Sequence, residues 1–266
     1  MSVMHSTRRV HRACLSPERI AVVLVGAGGT GSHMLTALVQ LHLALRALGH
    51  PTGLEVIVID PDEVTESNVG RQMFFPGDVG RFKCEALVTR VNMTYGLAWE
   101  ALARPFTRAL LARNYARPVL VGCVDNRAAR KQMAEYFHSQ SGAYWLDCGN
   151  TDRTGQVVLG FSGLRDVEAL PHVGQLFPDL IDPRLDDEDA TPSCSLAVSL
   201  ERQDLFINRA IALAGANLLW KLVREGELII HGQFIDLNNG RWSPLPVDQV
   251  AWARMGYKPR RRKRAA

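Results

Sequence analysis

Six consecutive apolar residues, Ile20-Ala21-Val22-Val23-Leu24-Val25, run without a break into Gly26-Ala27-Gly28-Gly29-Thr30-Gly31 and then into a helical stretch reaching about Leu48. Few features restrict a chain more. A mostly β-branched run with no polar alternation is the pattern of a parallel strand buried on both faces. After the glycine turn, Leu35, Leu38, Leu45 and Leu48 recur at helical spacing, Gly49 supplies a stop and Pro51 blocks continuation. A second apolar run, Leu54 to Ile59, ends at Asp60. Strand, glycine turn, helix and strand make one βαβ unit. The expected fold is therefore α/β, a doubly wound, Rossmann-like, mostly parallel sheet flanked by helices.

The remaining pattern extends that sheet. Residues 61–80 are rich in Pro, Gly, Asn and Asp and read as a loop with short helical turns. A helix over about 79–95, a short strand near 99–103, a strand over 119–124, a helix over about 127–139 and a strand near 144–147 follow. Organisation changes after Asn150: a strand over 156–161, then the acidic, Pro-punctuated stretch 182–191, read as a mobile crossover loop, then a long helix over about 205–224. Residues 227–237 and 241–245 flank Asn238-Asn239-Gly240, a hairpin signal, so the chain should close on a C-terminal β-hairpin/helix extension. The expected organisation is a single domain over residues 1–257, with a nucleotide-binding half at about 20–150 and a partner-binding half at about 151–257.

Charge narrows the function classes. The net charge of +4 is placed unevenly, because Lys258, Arg260, Arg261, Arg262, Lys263 and Arg264 crowd the last nine residues, 258–266. Without them the chain is slightly acidic, so any nucleic-acid contact would fall to this basic tail, which is expected to be disordered. No run of eighteen apolar residues exists, so no membrane span is expected, and the N-terminus lacks the apolar core of a secretory signal. Cys14, Cys84, Cys123, Cys148 and Cys194 are odd in number and never spaced C-x-x-C. That favours reduced thiols in a cytoplasmic protein and argues against a zinc site. Cys123, inside an apolar strand, reads as core.

Four groups of residues carry candidate chemistry. Gly26, Gly28, Gly29 and Gly31 would let backbone N–H groups approach a phosphate at a helix N-terminus. Asp60 holds the strand-end place of a ribose-binding acid, a feature shared with NAD(P)-binding oxidoreductases. Asp60-Pro61-Asp62-Glu63-Val64-Thr65-Glu66-Ser67-Asn68-Val69-Gly70-Arg71-Gln72 then gathers donors at Asn68, Arg71 and Gln72, with Lys83 further on, and these suit a triphosphate better than a nicotinamide. Asp125, at the end of another strand, faces the same crevice. It would hold Mg²⁺ against phosphate oxygens, cap the helix beginning at Arg127, or do both.

These motifs in this order, GAGGTGS, DPDEVTESNVGRQ, DVGRFK and Asp125-Asn126-Arg127 with Arg130, resemble the ThiF/MoeB/E1 superfamily. With Pro192-Ser193-Cys194-Ser195 and Gln203-Asp204-Leu205-Phe206-Ile207-Asn208, the chain is similar to the ThiF-related family of the PRTRC cassette, a bacterial gene set often carried on plasmids. The resemblance implies an adenylyltransferase that uses ATP and Mg²⁺ to activate the C-terminal carboxylate of a small ubiquitin-like protein, acting as a homodimer. It assigns the ribose to Asp60 and the nucleotide's surroundings to Gly28, Gly29, Asp62 and Asn126. Phosphates fall to Asn68, Arg71, Gln72 and Lys83, and Mg²⁺ to Asp125. An arginine among Arg8, Arg9 and Arg12 would reach across the dimer. Catalysis would rest on Arg71, Lys83 and Asp125, and a following thioester would form on Cys194, although PSCS lacks the eukaryotic thioester signature. Two other readings compete: an NAD(P)-dependent oxidoreductase, and a non-catalytic, nucleotide-dependent scaffold in plasmid maintenance.

Overall fold

The computed structural model describes residues 10–111, 118–164, 166–186 and 203–258. Ten strands fall among them: β1 (His11–Arg12), β2 (Ile20–Val25), β3 (Leu54–Ile59), β4 (Glu100–Leu102), β5 (Val119–Gly122), β6 (Tyr144–Asn150), β7 (Thr154–Phe161), β8 (Glu227–Leu228), β9 (Ile230–Asp236) and β10 (Arg241–Pro246). The helices are α1 (Gly29–Ala47), α2 (Lys83–Tyr95), α3 (Arg127–Ser139), α4 (Val173–Leu176), α5 (Ile207–Arg224) and α6 (Gln249–Arg254).

Eight strands form one sheet in the order β10-β9-β7-β6-β5-β2-β3-β4, and β1 pairs with β8 in a separate antiparallel ribbon. From β4 to β6 every neighbour is parallel, and from β6 to β10 every neighbour is antiparallel. The chain leaves β2 towards β3 and β4, then returns to lay β5 on the other side of β2. A topological switch point therefore lies between β2 and β5, where the crevice of a doubly wound sheet forms. The β2 run is buried at all six positions, as its unbroken apolar sequence requires.

The helices cover both faces. On β6, side chains alternate: Leu146 and Cys148 lie against Gly215 of α5, whereas Trp145 lies against Phe137 of α3. α1 and α5 pack on each other over the α5 side of the sheet. Differences from the sequence reading have local causes. α2 begins at Lys83 because Pro76–Asp78 forms its own 3-10 turn, whose Asp78 accepts from Phe75 N. β5 stops at Gly122, so Cys123 is half-buried beyond the ladder rather than inside a strand. The C-terminal hairpin extends the main sheet through β7–β9 pairing. Residues 182–186 of the acidic stretch are fixed by a 3-10 turn and by Asp186, which accepts from the Arg127 and Ala128 N–H groups. Among the described residues no helix is long and apolar enough to cross a membrane.

Three histidines are buried, and the partners of His231 and His172 specify the neutral form. His231 Nδ1 lies 2.9 Å from Leu159 O and its Nε2 accepts from Trp252 Nε1–H at 2.7 Å, leaving no place for a second proton. His172 accepts from Gly174 N at Nδ1. His11 Nε2 meets the Tyr144 hydroxyl at 2.8 Å. Burial lowers His11 and His231 to about 4 and His172 to about 3. The unfolded chain takes up these protons near the ordinary value of 6.5, so it binds more protons than the folded chain below that pH. Stability should thus be full above about pH 6.5 and fall towards pH 4, by on the order of 2–3 kcal/mol per histidine. Urea midpoints measured between pH 7.5 and pH 4.5 check this, and a flat profile contradicts it.

Candidate functional site

A cavity of about 1080 Å³ opens at the switch point, beyond the carboxyl ends of β2, β3, β5 and β6. Its first wall is the glycine turn. Gly26 has φ +90°, and a Cβ there would stand 2.5 Å from Cys123 O. At Gly31 a Cβ would stand 1.9 Å from Gly26 O, so only glycine lets α1 start this close to β2. Gly28 is different: the nearest atom to a Cβ there is Gln72 Oε1, at 4.0 Å. The protein leaves that side of the backbone open towards the cavity. α1 receives no side-chain cap and has no acidic residue in its first turn, so its positive end remains uncompensated.

The second wall comes from β3 and the segment after it. Asp60 is buried, its Oδ2 accepting from Ala27 N at 2.5 Å and its Oδ1 from Asp62 N at 2.8 Å. Burial pushes its carboxyl up, while those two N–H groups and nearby Lys83 hold it down. A carboxylate offers about four acceptor positions, so two remain. Lys83 and Asp62 pair with each other, Nζ to Oδ2, at 2.8 Å. Asn68 Oδ1 accepts from Thr65 N at 3.0 Å. Arg71 is half-buried; its Nη1 donates to Gln203 Oε1 at 2.7 Å, its Nε is buried without a hydrogen-bond partner among the described residues, and burial lowers its pKa. Gln72 Oε1 is likewise buried and unpartnered.

The third wall follows β5. Asn126 caps α3, its Oδ1 accepting from Ala129 N at 2.7 Å, and Asp186 takes the other free N–H groups. The cap that Asp125 might have made is therefore filled, and its exposed carboxylate lines the cavity without a hydrogen bond among the described residues. Beneath it lies a buried ion pair that sequence reasoning missed. Arg130 of α3 meets Asp147 of β6, Nε to Oδ1, at 3.0 Å, with side chains 6% and 1% exposed. Burial raises the Asp147 carboxyl against the opposing pull of Arg130, and Asp147 Oδ2 has no partner. Cys123 and Cys148 also line the cavity, and burial pushes the Cys84 thiol behind Asp60 up to about 11.

The structure thus brings Gly26, Gly28, Gly29, Asp60, Asp62, Asn68, Arg71, Gln72, Lys83, Asp125 and Asn126 to one cavity, with Gly31 packed just behind. Arg12 lies elsewhere in its own chain, in β1, paired with Glu227 at 3.5 Å. Cys194, Arg8, Arg9 and residues 259–266 lie outside the described residues. Thr30, Asn150, Gln203 and Asn208 form a polar network on the cavity side of α1 that was not expected. Its sequence signals are a polar Asn208 inside the apolar stripe of α5 and the Gln203-to-Asn208 motif that carries the family resemblance, neither of which points to Thr30 or Arg71.

This sheet order, with a glycine turn at the switch point, defines a doubly wound, Rossmann-like α/β protein. The chain belongs to the ThiF family, whose model matches residues 12–240. No curated protein matches it in sequence. Among solved structures it is similar to E. coli MccB with ATP, at 15% identity and TM-score 0.58, covering 86% of this chain and 64% of that one. It is also similar to PaaA, at 15% identity and TM-score 0.58, covering 87% and 65%. A third likeness is E. coli MccB with AMPCPP and MccA, at 16% identity and TM-score 0.60, covering 90% and 65%. The chain therefore spans just under two thirds of the length of these proteins, and at such identities the likeness is one of fold.

The ion pair beneath the cavity yields a stability test. Arg130→Met strands the Asp147 carboxylate and should cost about 3–5 kcal/mol, whereas pairing it with Asp147→Leu should recover most of that loss. Urea unfolding measures both, and equal losses would contradict the pairing.

Proposed function

We propose that the chain adenylates the C-terminal carboxylate of a small ubiquitin-like protein, using ATP and Mg²⁺ and working as a homodimer. One observation carries this reading. Arg71 is a half-buried guanidinium with no carboxylate partner among the described residues, and it lines the same cavity as the uncapped end of α1. Two uncompensated positive groups around one crevice favour a polyphosphate. ATP and AMPCPP in the MccB structures support a nucleotide, and MccA in one of them supports a small partner. The ubiquitin-like character of the partner rests on the sequence resemblance.

In this reading the phosphates run past Gly28 and Gly29 along the first turn of α1. Asn68, Arg71, Gln72 and Lys83 hold them; Arg71 Nε, without a hydrogen-bond partner among the described residues, supplies unused donor capacity, and Gln72 would present its amide N–H₂ rather than its oxygen. Lys83 stays tethered to Asp62 at the rim. Asp60 offers its remaining acceptor positions to the ribose, and Asn126 borders the nucleoside. Asp125 is the carboxylate that would hold Mg²⁺; one carboxylate with phosphate oxygens and waters suits that ion. Bound there, the metal would neutralise phosphate charge.

The reaction needs no protein base. The partner's carboxylate is already ionised, its oxygen bonds to the α-phosphorus, the bond to the bridging oxygen breaks, and pyrophosphate leaves. The chain's own work is alignment and charge neutralisation. A following step, attack of the Cys194 thiolate on the acyl-adenylate with release of AMP, is a proposal from sequence alone.

ATP–pyrophosphate exchange in the presence of a small ubiquitin-like protein with a free C-terminus tests the reading, with mass spectrometry for an AMP adduct on that partner. Arg71→Ala and Asp125→Ala should each slow exchange by about 10²-fold or more. Undiminished exchange in both variants removes the assigned roles. Tight NADH binding without ATP binding would favour the oxidoreductase reading instead.

A further inference from the structure

The polar network beside the glycine turn joins the two halves of the anion-receptive wall. Gln203 Oε1 accepts from Arg71 Nη1 at 2.7 Å and from Asn208 Nδ2 at 3.3 Å. Asn208 is 3% exposed, and its Oδ1 lies 3.0 Å from the Thr30 hydroxyl in the first turn of α1. Its amide also abuts Gly29, where a Cβ would stand 2.5 Å from Nδ2. Gln203 Nε2 reaches back to Thr151 O at 3.4 Å, tying the network to the turn after β6. A single stretch, residues 203–208, thus touches both the guanidinium and the helix end that must meet one phosphate chain.

Gln203 also has the right chemistry for this task. A neutral amide oxygen orients a guanidinium by one hydrogen bond and leaves its charge available, whereas a carboxylate there would neutralise it. We infer that Gln203 and Asn208 are positioning residues that fix Arg71 and the first turn of α1 in mutual register, so that both grip the same polyphosphate. The inference rests on the nucleotide reading above. Neither residue touches the reacting atoms; each acts through Arg71 or α1. A displacement of about 1 Å in such a group is enough to cost up to about 10²-fold in rate.

The test uses the full chain and calorimetric titration with ATP and with adenosine, which lacks phosphates. Asn208 is buried and its removal could prevent folding, so half-buried Gln203 carries the test. Gln203→Ala should weaken ATP about tenfold, the loss of one charge-assisted hydrogen bond, and leave adenosine within about twofold. Gln203→Glu should weaken ATP at least as much, because it keeps the hydrogen bond to Arg71 but cancels the charge, and it should leave adenosine within about twofold, whereas a merely structural loss at the Thr151 contact would weaken both. In an Arg71→Ala background, Gln203→Ala should add less than about twofold, since contacts in one network are not additive. Unchanged ATP affinity in Gln203→Ala, equal losses for ATP and adenosine, or a full loss persisting without Arg71 would overturn the inference. Failure of the unaltered chain to bind ATP would instead overturn the nucleotide reading itself, which keeps the two failures apart.

Discussion

The contact between Gly31 and the carbonyl of Gly26 sets the rest of the molecule in place. Any side chain at position 31 would enter that carbonyl oxygen, the Cβ alone lying 1.9 Å from it. Because none is present, α1 departs at once from the end of β2, and its unbonded N–H groups open at the switch point rather than a turn away. Gly26, at φ +90°, makes the reversal possible beside Cys123 O. Without this approach β2 would still pair with β3 and β5, but the helix dipole would point at solvent. The cavity is a consequence of backbone proximity first and of side chains second.

Its electrostatics then follow from which cations already have partners. Lys83 is held by Asp62, Arg130 by Asp147, Arg127 by Asp186 and Arg90 by Asp78. The partly exposed Lys83–Asp62 and Arg127–Asp186 pairs contribute little to stability and serve mainly to direct side chains at the cavity, whereas the buried Arg130–Asp147 pair is costly to break. Arg71 stands apart because its partner is a neutral amide. Burial disfavours its charge, and no carboxylate among the described residues pairs with it to offset that cost. In the proposed reading an anionic ligand would supply that compensation, which would link the electrostatics of the free protein to its affinity for a nucleotide.

The fold was legible because its signals are local. The apolar run of β2, the glycine turn, the stripe of α1 and the strand-end Asp60 are adjacent in the chain, and backbone periodicity alone orders them. The site's first layer was legible for the same reason: Asn68, Arg71, Gln72 and Lys83 all lie in the segment from the end of β3 to the first residue of α2. What escaped needed distant segments. Arg71 meets Gln203 across 132 residues, and Thr30 meets Asn208 across 178. Nothing in either neighbourhood announces its partner. The cap of α3 escaped for another reason, since Asp125, Asn126 and Asp186 are all competent acceptors and only geometry decides among them. Cys123 was misread because the apolar run continues to Val124, while the β5 ladder ends at Gly122.

The antiparallel half of the sheet explains how such distant contacts are held. β6 runs to Asn150, three residues beyond its last pairing with β5, and turns through Thr151-Asp152-Arg153 into β7. That turn is braced by a second one: Arg153 O accepts from Leu237 N and the Arg153 guanidinium donates to Asn238. It in turn fixes the start of α5, through Asp204 N to Asp152 O at 2.8 Å and Gln203 Nε2 to Thr151 O. Residues that hold Arg71 and α1 are therefore anchored on a tight turn that two paired strands hold in place from either side. A hairpin that reverses strand direction is what lets the chain end α5 at the sheet's far side and still begin it against the cavity. The second half of the molecule is thus part of the site's geometry, and the parallel half alone would leave Arg71 without its orienting partner.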